Sequence, residues 1–133
     1  MLKQQANNKI KHEINIVDTQ VEAEVQHDRI LIVDDDPHNV DALKIGLQCA
    51  TADIAQFQFK ERLDTASNGL EALELIKNNY KQGYTYKLIL MDCNMPKMDG
   101  YESTRKIRQF IADNEQNQPY IVAISGHVEE HYR

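Results

Sequence analysis

The run Ile30-Leu31-Ile32-Val33, closed by Asp34-Asp35-Asp36-Pro37, constrains the fold more than any other stretch. Four consecutive apolar residues, mostly β-branched, read as a strand buried on both faces. The acids and the proline after it read as a turn and a helix start, with Asp36 suited to the cap and Pro37 to the first helical position. Val40, Leu43, Leu47 and Ala50 then recur close to a 3.6 period. The same alternation continues along the chain. Leu63–Ala66 reads as a second, weaker and more alternating strand, Ser67-Asn68-Gly69 as a turn, and Leu70–Lys77 as a helix with Leu73 and Ile76 on one face. Lys87–Met91 is a third strand, continuously apolar after its lysine, and Asp92–Gly100 a loop. Tyr101, Thr104, Ile107 and Ile111 mark a third helix, and Ile121–Ile124 a fourth strand that runs into Ser125-Gly126-His127.

Strands alternating with helices predict an α/β fold, a doubly wound parallel sheet with right-handed crossovers. The continuously apolar first, third and fourth strands are expected inside the sheet, and the second at an edge. Sites in such sheets form outside the carboxyl ends of the strands. Three of those ends carry polar groups here: Asp34 to Asp36, Asp92 and Ser125. A chain of 133 residues is one domain with room for its own core. Residues 1–28 differ from the rest: they hold Lys, Gln, Asn and Glu with few apolar residues, and read as a linker or tail. The alternation of Val21, Ala23 and Val25 allows a short strand there, although a solvated extended segment is the plainer reading.

The net charge of −6 argues against binding to nucleic acid or to an anionic membrane surface, both of which need a basic face. Apolar runs reach only about four residues, far short of the roughly 18 of a bilayer span, and no signal peptide is visible. Cys49 and Cys93 have neither the spacing nor the histidines of a metal site, so free thiols in a reducing cytoplasm are expected.

If the first and third strands are neighbours, Asp34, Asp35 and Asp92 converge. Like charges so close resist ionisation unless a cation is present. Hard oxygen ligands with part of the coordination shell left open suit Mg²⁺, and a carboxylate beside that ion can act as a nucleophile toward phosphorus. Ser125 could exchange a hydrogen bond with the phosphoryl group. Each piece alone has a plainer reading: the acid run as a solvated cap, Ser125 as a cap, His127 as an exposed loop residue, Cys93 as a small buried side chain and Lys97 as a solvated one. A calcium hand does not fit, because no Glu closes the Asp92–Gly100 loop.

Together the pieces are far more specific. The segment Leu-Ile-Leu-Met-Asp92-Cys-Asn-Met-Pro96-Lys-Met-Asp99-Gly100 resembles the phosphoacceptor segment of a response-regulator receiver domain. The paired acids after Ile30–Val33, the Ala-Ser-Asn-Gly turn at 66–69 and Val-Ala-Ile-Ser125-Gly-His match that family in order, over residues 29–133. Asp-Asp-Asp-Pro-His-Asn and the histidine two after Ser125 are similar to receivers of hybrid histidine kinases. The resemblance implies a flavodoxin-like (βα)₅ domain with strand order 2-1-3-4-5. It also implies phosphotransfer from a phosphohistidine to Asp92 with Mg²⁺. Asp35 would be a direct metal ligand, Asp34 would act through water, and Asn94 would offer its backbone carbonyl. Ser125 would be the switch hydroxyl, and Asn94 and His127 the positions that tune loss of the phosphoryl group. The implied partner is a histidine kinase or phosphotransfer domain.

One departure is plain. The family places a lysine on a fifth strand, about twenty residues beyond the switch hydroxyl, whereas this sequence ends at Arg133, eight residues after Ser125. The sequence therefore reads as a receiver lacking its last βα unit, a phosphoacceptor domain rather than a complete enzyme, with self-association through an exposed fourth strand as an expected consequence. Two alternatives stay open: an interaction module of receiver ancestry that is not phosphorylated, and an Mg²⁺ phosphohydrolase. The latter would need a proton-transferring carboxylate where Asn94 stands.

Overall fold

The computed structural model describes residues 28–52 and 61–125. Strand β1 (Asp28–Val33) leads into helix α1 (Pro37–Ala50), β2 (Leu63–Ala66) into α2 (Gly69–Lys81), and β3 (Thr85–Asp92) into α3 (Gly100–Asp113), with β4 (Tyr120–Ile124) last. The four strands form one parallel sheet in the order β2-β1-β3-β4. The chain steps one way from β1 to β2 and then back past β1 to β3. Right-handed crossovers therefore put α1 on one face of the sheet and α2 on the other.

The core lies mainly between the sheet and the α2–α3 pair. Leu31, Val33, Tyr86, Ile89 and Met91 meet Ala72, Leu73, Ile76, Ile107 and Ile111 there. Alternation along the strands sends Ile30, Ile32 and Leu90 to the opposite face, and these too are buried. The rings of Tyr80 and Phe110 meet edge to face at 5.6 Å and join the outer sides of α2 and α3. Away from the strand ends that carry the acids, Asp64 of β2 accepts two hydrogen bonds of 2.8 Å from Arg29 of β1 and one of 2.6 Å from the Tyr86 hydroxyl of β3. This network ties three strands together across a half-buried seam. Burial disfavours the Asp64 carboxylate, yet Arg29 and Tyr86 outweigh it and hold its pKa below the usual range.

The local signals in the sequence act as expected. Asp36 caps α1 by accepting from the His38 N–H at 2.9 Å, with Pro37 in the first helical position. Among the described residues β2 is an edge strand, as its alternation predicts. Three expectations need correction. Among the described residues β4 pairs on one side only, and Val122 is 48% and Tyr120 75% exposed, so within the described sheet β4 is an edge, at odds with the interior place its apolar run predicts and in line with the exposed fourth strand also expected. An apolar run records a tendency to be buried, not which neighbour supplies the cover. Helix α1 has no fully buried residue, and its apolar positions Val40, Leu43 and Leu47 are only half-buried. Tyr101 is exposed, and the buried stripe of α3 runs through Gly100, Ser103, Ile107 and Ile111 instead. The Val21–Val25 segment lies outside the described residues. Among the described residues, no helix is long and apolar enough to cross a membrane.

Candidate phosphoacceptor and metal site

The register of the sheet builds the site. Val33 pairs with Met91 across β1 and β3, so both strands end at the same level, and Asp34 and Asp35 emerge beside Asp92. Carboxylate oxygens of Asp34, Asp35 and Asp92 all lie within 4.8 Å of one another. Asp34 is buried, Asp92 half-buried and Asp35 exposed, so the cluster has a protein-facing floor and an open mouth. The run of three acids divides its work. Asp36 caps the helix, whereas Asp34 accepts the Asp36 N–H at 2.9 Å and is thereby held at the strand end.

Asp92 is the strained member. Burial disfavours its charge, and the adjacent Asp34 and Asp35 carboxylates add repulsion; the Asn94 N–H, 3.2 Å from Asp92 Oδ1, opposes them only in part. The result is a pKa above the usual carboxylate range. A divalent cation relieves such a cluster directly. On an octahedral ion with bonds of about 2.1 Å, ligand oxygens lie about 3 to 4.2 Å apart. A cluster already within 4.8 Å fits Mg²⁺ with small side-chain adjustments, and its donors are the hard oxygens this ion prefers.

The loop after Asp92 is held closely. The Cys93 N–H donates to the Ile124 carbonyl at 3.0 Å, and the Gly100 N–H donates to the Cys93 carbonyl at 3.2 Å. A Cβ on Gly100 would lie 2.1 Å from the Asp92 carbonyl oxygen, so only glycine lets α3 begin this close to Asp92. Lys97 stands at φ +68° in a tight turn closed by the Met98 N–H on the Pro96 carbonyl at 2.8 Å. Beside the acids an open cleft of about 310 Å³ runs between α1 and the β2–α2 turn, past Lys44, Ser67 and Glu71.

The structure thus brings together Asp34, Asp35 and Asp92, and places Asn94, exposed, next in the loop. Ile124 is the rung partner of Asp92, so Ser125 sits one residue beyond it at the same edge of the site, exposed. His127 lies outside the described residues. Cys93 is buried and Lys97 exposed, as their plainer readings have it. Sequence reasoning missed Glu71, whose carboxylate accepts both the Ser67 N–H and the Ser67 hydroxyl and fixes the β2–α2 turn. The glutamate three residues after Asn68, the cap of α2, was the available signal.

The family model for the response regulator receiver domain matches residues 30–133. The chain belongs to the receiver-domain family. It is 36% identical over 107 residues to Histidine kinase CKI1 of Arabidopsis thaliana, covering 74% of this chain and 9% of that protein. It is 49% identical over 51 residues to Hybrid signal transduction histidine kinase B of Dictyostelium discoideum, covering 38% of this chain and 2% of that one. The chain therefore spans a small part of the length of these kinases. Among solved structures, it is similar to the response regulator TrrA of Thermotoga maritima, crystallised in complex with Mg²⁺ and BeF. That match has a TM-score of 0.54 and 32% identity, and covers 80% of this chain and 74% of that one.

Proposed function

We propose that this receiver accepts a phosphoryl group from a phosphohistidine onto Asp92, with Mg²⁺ bound by the acidic cluster, and that the modified domain changes its partner contacts. The observation that carries the reading is the convergence of Asp34, Asp35 and Asp92 at the ends of two adjacent strands. Asp35 and Asp92 would hold the ion directly, Asp34 through water, and Asn94 through its backbone carbonyl. When bound, the ion would neutralise the cluster and the phosphoryl oxygens. In the transfer, an Asp92 carboxylate oxygen forms the new bond to phosphorus while the phosphorus–nitrogen bond of the donor breaks. The imidazole leaves with the electron pair and takes up a proton. Ser125, one residue beyond the Asp92–Ile124 rung, would hydrogen-bond the phosphoryl group and report its presence. The donor is a histidine kinase or phosphotransfer domain, and the chain is a receiver segment of a hybrid kinase. The CKI1 and hybrid-kinase relatives support that context.

Titration of the ¹⁵N-labelled chain with Mg²⁺, then with Mg²⁺ and beryllofluoride, tests the reading. Shifts centred on Asp34, Asp35, Asp92 and Asn94 are expected at millimolar Mg²⁺, with a second set including Ser125 once the phosphoryl mimic is present. No response at the three acids would overturn the site, and Mg²⁺ shifts without a beryllofluoride response would favour an unphosphorylated interaction module.

A further inference from the structure

Ser103 is fully buried, one turn into α3, yet it is polar. Its hydroxyl donates to the carbonyl of Gly69, the first residue of α2, at 3.0 Å. The N–H of the same glycine donates to the carbonyl of Met98, in the loop after Asp92, at 3.3 Å. A Cβ on Gly69 would sit 2.7 Å from both the Met98 carbonyl oxygen and the Ser103 Cβ, so these three residues are in full contact. On the other side of the same helical turn, Gly100 abuts the Asp92 carbonyl. A closed circuit results, from Asp92 through the loop to Met98, across Gly69 to Ser103, and back through Gly100 to Asp92. Apolar packing would satisfy this part of the helix interface without a hydroxyl. The hydroxyl adds direction, because it fixes the height of α3 against α2, and Gly100 passes that height to Asp92 and Cys93.

We infer that Ser103 is a positioning residue for the phosphoacceptor loop, holding the start of α3 against α2 so that Asp92 and the Asn94 carbonyl keep the geometry that Mg²⁺ requires. The inference rests on the metal-site reading proposed above. Mg²⁺ demands near-octahedral ligands, so a shift of a few tenths of an ångström in the loop weakens binding. Residues that orient metal ligands directly change affinity by about 10–100-fold on mutation. Ser103 acts one step further out, and about 3–10-fold is expected by the same reasoning.

The test compares Mg²⁺ affinity, read from amide shifts of the full 133-residue chain, in wild type, Ser103→Ala, Ser103→Cys and Ile111→Val. Ile111 is buried on the same helix, two turns beyond Ser103, and its truncation controls for loss of stability alone. The expected result is several-fold weaker binding in Ser103→Ala, an intermediate value in Ser103→Cys, whose thiol is a weaker donor, and wild-type affinity in Ile111→Val. Should Ser103→Ala fail to fold, the Cys variant and the control carry the comparison. Ser103 variants that bind within twofold of wild type, or an equal loss in Ile111→Val, would overturn the positioning role while leaving the metal site standing. A wild type that binds no Mg²⁺ would overturn the site itself, and the inference with it.

Discussion

Glycine-to-alanine substitution at two helical positions should move stability in opposite directions. Gly46 lies inside α1 with nothing within 4 Å of a Cβ added to it. Alanine there removes backbone freedom from the unfolded chain, and a gain of about 0.5–1 kcal/mol is expected. Gly100 begins α3, where an added Cβ would meet the Asp92 carbonyl oxygen at 2.1 Å and its carbonyl carbon at 2.9 Å. An ordinary carbon–oxygen contact is about 3.3 Å, so helix and strand end must part by about 1.2 Å. The obstacle is backbone held in the sheet, not the movable end of a side chain. Overpacking of this kind costs about 1–3 kcal/mol, and the upper end applies here. The helical preference of alanine returns about 1 kcal/mol at most, leaving a net loss of about 2 kcal/mol. For a domain of this size each kcal/mol moves the melting temperature by about 3–5 °C. Thermal unfolding followed by circular dichroism should therefore place Gly46→Ala a few degrees above wild type and Gly100→Ala about 6–10 °C below it. Gly100→Ala melting at or above wild type would refute the close approach of α3 to the end of β3.

Other consequences follow from the charged groups. Asp64→Asn should cost about 1.5–3 kcal/mol at neutral pH, as expected for hydrogen bonds to a charged group. Because the folded-state pKa of Asp64 is lowered, its contribution is present above the unfolded value of about 3.9 and is lost as pH falls through the folded one. Urea melts of wild type and Asp64→Asn should therefore converge as pH falls below about 3.9. Asp92 has the opposite sign: its folded-state pKa is raised, so its ionisation opposes folding at neutral pH and the penalty fades as pH falls through the folded value. Without Mg²⁺, Asp92→Asn should be more stable than wild type near pH 7 and lose that advantage in acid; equal stability at both pH values would contradict the crowding of the three acids. Asp35→Asn should lose most of the Mg²⁺ affinity and Asp34→Asn somewhat less, measured by the same amide shifts.

Local chemistry was legible wherever one segment carries the whole signal. The apolar runs Ile30–Val33 and Leu88–Met91 mark buried strands, and Asp36-Pro37 marks a helix start, because burial on two faces and capping need only neighbours in sequence. The convergence of Asp34, Asp35 and Asp92 was legible because a parallel sheet forces strand ends together. What escaped depends on atoms far apart along the chain. Ser103 and Gly69 are 34 residues apart, and Arg29 and Asp64 are 35 apart, so no local period betrays either contact. The periodicity of α1 correctly gave a helix but not its depth. The run Ile121–Ile124 gave a strand, but its apolarity alone pointed inside the sheet, whereas β4 lies at the edge of the described sheet. In both cases the missing information is what lies on the other side.

Covalent labelling decides whether Asp92 accepts the phosphoryl group. The chain is incubated with acetyl phosphate and Mg²⁺, the acyl phosphate is trapped by borohydride reduction, and the modified residue is located by peptide mass spectrometry. A single modified position, Asp92, is expected, with labelling lost on chelation of Mg²⁺ and absent in Asp92→Asn, whose amide is not a nucleophile toward phosphorus. Labelling that survives in Asp92→Asn, or that maps to another carboxylate, would contradict it.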